Sequence, residues 1–160
     1  MIWWEAFVHF LHLLGAIAWV GGMLSTSGVV GPVLRKRLGP AERLGLIEDV
    51  GRRFRVVEGV AWTLLLFSGT WKIASVWSTR DWTGAFWRLW LVKMAVVAVV
   101  ITLALLHGFV WGPALTRSRA GGSDVDAARL TRRVIFWARL EVAGAVLVVF
   151  LGALLRMNPF

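Results

Sequence analysis

The 160-residue chain has no cysteine and no tyrosine, and only three histidines and four prolines. Without cysteine it can hold no disulfide, no thiolate metal site, no iron–sulfur cluster and no covalently attached c-type haem. Without tyrosine it has no phenol to serve as radical or acid. Acidic residues are scarce, with nine Asp and Glu against eighteen Lys and Arg. The phosphate-binding glycine loop, HExxH and GxSxG are all missing, which sets aside the commonest soluble-enzyme chemistries. No basic stretch precedes the first apolar run, so that run reads as an uncleaved helix.

Apolar residues dominate what remains: 58% of the chain is hydrophobic and the mean hydropathy is +0.71. Apolar runs near ~20 residues recur, the length that spans a bilayer as a helix. The pattern predicts an all-α integral membrane four-helix bundle in one domain, with helices at about 6–34, 56–77, 87–111 and 134–155. The first is expected to stop near Gly31-Pro32 and the third at Gly112-Pro113. Between helices one and two lies a basic connector whose middle, Pro40 to Val50, has the makings of a surface amphipathic helix. A short Trp- and Arg-rich connector, Ser78 to Phe86, follows helix two. A polar loop around Gly121-Gly122-Ser123 precedes helix four, and the chain ends Asn158-Pro159-Phe160.

The net charge of +9 and pI of about 11.7 could signal nucleic acid, but the distribution points to a lipid bilayer. Arg35, Lys36, Arg37, Arg43, Arg52, Arg53 and Arg55 crowd the first connector, and Arg117, Arg119, Arg129, Arg132 and Arg133 the third. That is the positive-inside pattern, with anionic lipid as a further attraction, so both termini are expected on the outer side of the cell (inner) membrane. Trp3, Trp4, Trp71, Trp77, Trp82, Trp87 and Trp90 then gather at the outer boundary as an interfacial belt.

Against this apolar background the ionisable residues stand out. Glu5, His9, His12, Ala16, Trp19 and Met23 recur at helical spacing on one stripe. At ~1.5 Å per residue, His12, Lys72 and Lys93 fall about 8–10 Å inside the outer boundary. Glu58, His107, Arg139 and Glu141 fall in the opposite half. An outer His/Lys layer and an inner Glu/Arg/His layer result.

A neutral imidazole is a good axial ligand for haem iron, and a bundle interior offers apolar walls. In this reading His12 binds b-type haem. Lys93 is a second ligand or, with Lys72, Arg80 and Arg88, a propionate partner. His9 lies alongside, while Trp19 with Gly15, Ala16 and Ala18 accommodates the macrocycle. His107 lies roughly 20 Å deeper than His12, which disfavours a shared iron unless helix one or three is shifted, and it could serve a second haem. Copper held by His9 and His12 is the alternative, although Met23 is about 16 Å away along the axis. A plainer reading has His9 and His12 hydrogen-bonding across helices while Lys72 and Lys93 snorkel outward. Glu58, Arg139 and Glu141 could serve a proton path, a quinone site or an ion-pair network. Gly15, Gly22, Gly144 and Gly152 offer small-residue faces for a homodimer.

The segment from His12 through Trp19, Gly21 and Gly22 to Met23 resembles the first helix of the CopD-like (copper resistance protein D) membrane domain. Arg53-Phe54 with Ser68-Gly69-Thr70, Leu91-Val92-Lys93-Met94 and Arg139-Leu140-Glu141 are similar to that family's later helices. The same landmarks also resemble the HemJ-type protoporphyrinogen oxidases. The first resemblance implies copper uptake or tolerance. The second implies b-type haem at His12 and Lys93 and porphyrinogen oxidation. Residues and resemblance together lead to the expectation of a haem-binding membrane protein with a redox role, electron transfer or a haem-dependent oxidoreductase activity near the outer face, working with a quinone or a redox partner protein.

Overall fold

The computed structural model describes residues 2–77, 84–120 and 124–157, and every regular element among them is helical. Arg80, Trp82, the Gly121-Gly122-Ser123 loop and the Asn158-Pro159-Phe160 end lie outside the described residues. The chain divides into two compact units, Met1–Arg80 and Asp81–Phe160. Each is a helical hairpin of two long rods.

In the first hairpin, α1 (Ile2–Ser25), a π-turn (Thr26–Val30) and α2 (Gly31–Arg37) form one rod, and α3 (Pro40–Val76) the other. In the second, α4 (Ala85–Leu106), a π-turn (His107–Trp111) and α5 (Gly112–Ala120) form one rod, and α6 (Asp124–Met157) the other. The expected all-α architecture with four long helices holds. The helix limits differ, and each difference has a physical cause.

Neither Gly-Pro pair ends its helix. Pro32 has no N–H to bond the carbonyl of Gly28, and its ring would collide with that carbonyl. The rod widens instead: the Gly31 N–H reaches back to Thr26 O, and Pro32 enters the first turn of α2, where no N–H is needed. Gly112 makes the same bond to His107 O, ahead of Pro113. A Cβ at Gly31 or Gly112 would lie 3.3 or 3.1 Å from the carbonyl its N–H bonds, so glycine eases both wide turns.

The basic stretch 35–55 is not a connector either. Only Leu38 and Gly39 interrupt the rods, with extended backbone at both. Pro40 stands in the first turn of α3 and Glu42 joins it there, both favourable at a helix start. No breaker follows before the apolar half, so the surface helix expected at 40–50 is simply the beginning of α3. Charge marks where a span leaves the bilayer, not where a helix stops. The same holds for α6, which begins at Asp124 rather than near 134.

The two hairpins share one plan, repeated at an interval of 81 residues. That interval carries the first π-turn onto the second, Gly31-Pro32 onto Gly112-Pro113, and His12 onto Lys93.

Within the first hairpin the rods run antiparallel in a fixed register. Trp4 meets Trp71 edge-on at 5.5 Å between ring centroids, Trp19 meets Trp62 at 6.2 Å, and Gly22 lies under the Phe54 ring. A Cβ at Gly15 would come within 3.0 Å of the Ala61 carbonyl and of Leu65 Cγ. In the second hairpin Gly152 faces Lys93, Gly144 faces Val100, and Trp111 stacks on Trp137 at 5.7 Å. Gly15, Gly22 and Gly144 are therefore taken up inside the hairpins, and Gly152 has the end of the Lys93 side chain beside it.

Many large apolar side chains stay exposed, among them Ile17 (68%), Leu66 (63%), Phe109 (71%) and Phe136 (61%). Water would not tolerate so much apolar surface, whereas lipid covers it at no cost. Ile2–Arg37, Ala85–Leu115 and Arg129–Met157 are each long and apolar enough to cross a membrane. The chain is a membrane protein.

Candidate functional site

The first hairpin brings three of the sequence-identified polar residues, His9, His12 and Lys72, together with Ser68 as two cross-helix pairs. His12 Nδ1 lies 2.8 Å from Ser68 Oγ. Ser68 is fully buried, and its hydroxyl lies 2.5 Å from the carbonyl of Leu64, one turn back on α3. A serine hydroxyl has a single proton. With that proton given to Leu64 O, Ser68 Oγ is left to accept from His12 Nδ1, an arrangement that favours the Nδ1–H tautomer. The Cε1 edge of the ring rests 3.6 Å from where a Cβ on Gly69 would stand. Ser68-Gly69 thus supplies an acceptor and a clearance side by side.

One turn outward, Lys72 Nζ lies 2.9 Å from His9 Nδ1. An ammonium only donates, so Nδ1 of His9 is the acceptor and its ring proton is on Nε2. The two imidazoles of α1 are therefore held in opposite tautomers by opposite partners on α3. Both hydrogen-bond across helices, as the plainer sequence reading anticipated, and Lys72 ends on His9 instead of snorkelling outward.

Deeper in the hairpin Trp19 is 3% exposed, and its indole N–H donates to Glu58 Oε1 at 3.3 Å. The bond gives the Glu58 carboxylate a donor and ties α1 to α3. Trp19 and Gly15 thus serve helix packing, and the space assigned to them for a flat ligand is filled by Ala61, Leu65 and Trp62. Met23 is buried eleven residues beyond His12, far from the imidazole pair.

In the second hairpin Lys93 is half-buried, with its ammonium 3.5 Å from the Cβ position of Gly152 on α6. Arg88 is exposed near the start of α4. His107 opens the π-turn, and its Nδ1 is buried with no hydrogen-bond partner. The Val100–Gly144 and Trp111–Trp137 contacts bracket that level, so by register His107 faces the stretch of α6 that includes Glu141, which is 8% exposed. Arg139 is exposed. Among the described residues no group of three or more His, Asp or Glu side chains converges on one point.

Reading the sequence alone misses Ser68 as a functional residue. The available signal was its spacing: Ser68 lies one turn from Lys72 on α3, as His12 lies near His9 on α1. The 81-residue repeat was also legible in the two Gly-Pro pairs.

Fold and polar pairs together define an all-α membrane protein of two helical hairpins, each with a π-turn ahead of a Gly-Pro pair, with histidines held in its apolar layer. Residues 14–124 match the family described as Domain of unknown function (DUF4149), and the chain belongs to that family. An uncharacterized protein of Aquifex aeolicus (strain VF5) is 30% identical over 162 residues, covering 99% of each chain. No solved structure matches the chain.

Proposed function

We propose that the protein binds b-type haem through His12 and serves a redox role near the outer face of the cell membrane. One observation carries the reading: the Ser68–Leu64 carbonyl relay sets His12 in the Nδ1–H tautomer, the form in which Nε2 can ligate iron. Ser68 acts as the orienting partner that axial histidines commonly have. Lys72, beside His9, is the cation closest at hand for a propionate. Bound haem would supply one-electron chemistry, and a quinone or a redox protein is the matching class of exchange partner. This choice follows the HemJ-like side of the resemblance.

The topology that suits this role has both termini outside and the basic hairpin tips in the cytoplasm. The apolar half of α3 carries Glu58 and Lys72, yet it is paired with α1 from Trp4–Trp71 to Gly22–Phe54. It therefore crosses wherever α1 crosses, as a fourth span. The rods of 36 and 37 residues are about 55 Å long, well over the ~30 Å hydrocarbon thickness, so each hairpin stands clear of the bilayer on its basic side.

A copper site shared by His9 and His12 is the less favoured reading. Lys72 occupies the lone pair of His9, and an ion would have to displace it.

Absorption spectra of the detergent-purified protein, oxidised and dithionite-reduced, test the proposal. The expected result is a Soret band that shifts on reduction, vanishes in His12→Ala and survives in His107→Ala. A protein that stays colourless after reconstitution with haem would overturn it. Stoichiometric copper without a Soret band would favour the CopD-like alternative.

A further inference from the structure

The second hairpin carries positive charge along two stretches that contain no acidic residue. Arg88, Lys93 and Arg156 lie on α4 and α6, whereas 84–106 and 142–157 contain no Asp or Glu. Arg88 and Arg156 are exposed near the helix ends, where water and headgroups reach them. Lys93 lies eight residues into α4, about 12 Å below its start. Its ammonium does not turn outward. It lies over Gly152, the one place on the facing turn of α6 where the missing side chain leaves room. Among the described residues it has no hydrogen-bond or ion-pair partner.

An ammonium in an apolar layer is costly, and such residues characteristically meet a ligand or a counter-ion. The 81-residue repeat sharpens the contrast. The equivalent position in the first hairpin is His12, which has Ser68 as its partner.

We propose that Lys93 and Gly152 form a binding site for the carboxylate of a membrane-dissolved amphiphile, with Lys93 as the ion-pair donor and Gly152 as the clearance for the acid group. The charge sets the class of ligand. One ammonium balances one carboxylate, whereas a phosphate would bring further charge and oxygens with no second donor at this depth. Arg156, one turn outward from Gly152 on α6, adds positive potential along the way in. The site involves only the second hairpin and does not depend on haem at His12.

The test is equilibrium binding of labelled palmitate, with methyl palmitate as the uncharged control, to the full chain in nanodiscs of zwitterionic lipid. Wild type is expected to bind the acid more tightly than the ester. Lys93→Met should lose about 10- to 100-fold, the effect of one charge-assisted hydrogen bond. Lys93→Arg should retain most of the affinity, Gly152→Leu should block binding with the charge still in place, and Gly21→Ala, which has nothing within 4 Å of its Cβ position, should bind as wild type does. Equal binding of acid and ester, or Lys93→Met binding like wild type, would overturn the proposal. Circular dichroism verifies that each variant is folded. If Lys93→Met does not fold, the acid–ester comparison and Gly152→Leu still decide.

Discussion

Gly15→Leu is expected to destabilise the first hairpin by about 1–3 kcal/mol or more, the usual cost of forcing atoms into a filled interface. A Cβ at Gly15 already meets the Ala61 carbonyl at 3.0 Å. That carbonyl belongs to the α3 backbone and cannot swing aside as a flexible side chain would. Even Gly15→Ala should therefore lower the unfolding midpoint in detergent. Gly21, on the same helix, has nothing within 4 Å of its Cβ position. Gly21→Ala should be neutral or stabilising, by up to ~1 kcal/mol, because it only removes backbone freedom from a helix. The opposite signs are the diagnostic. Equal midpoints for the two alanine variants would mean that α1 does not meet α3 in this register.

Replacing Ser68 should have the second large effect, and it reaches the proposed ligand directly. In Ser68→Ala the Nδ1–H of His12 loses its acceptor in a buried position, a loss of about 1–3 kcal/mol. The tautomer should change as well, since the acceptor that holds the proton on Nδ1 is gone. With only three histidines in the chain, selective imidazole ¹⁵N labelling can follow each ring, with His12→Gln fixing the assignment. The wild type should show His12 as the Nδ1–H tautomer, and Ser68→Ala should show it mixed or reversed. Finding His12 as the Nε2–H tautomer in the wild type would mean that Ser68 donates to the ring, and the argument for Nε2 as the iron ligand would fail. His9 should keep the Nε2–H form in both proteins, because its partner is Lys72.

The repeated π-turns connect these local effects to the architecture. Each comes from one Gly-Pro pair near the boundary between apolar and basic sequence, and each lets a single rod continue from bilayer to basic tip. A proline that simply ended the helix would have left the basic segments as loops. As rods, they instead carry the arginines of each tip on a stiff hairpin.

Hydropathy, the arginine clusters and the spacing of polar residues determined by themselves that this is an all-helical membrane protein of four long helices, with His9 and His12 on one face. Those properties depend on composition and on period, which a linear sequence contains. The tertiary structure decided what each polar residue meets. It paired His12 with Ser68 and His9 with Lys72, turned Gly15, Gly22 and Trp19 into packing, and left Lys93 over Gly152. The axial register of two antiparallel helices sets those partners. A shift of one turn, about 5.4 Å, would exchange every one of them while leaving the hydrophobic pattern almost unchanged. The helix limits were hidden for a related reason: charge and Gly-Pro end an apolar run, but a helix ends only where its backbone hydrogen bonds can no longer be closed.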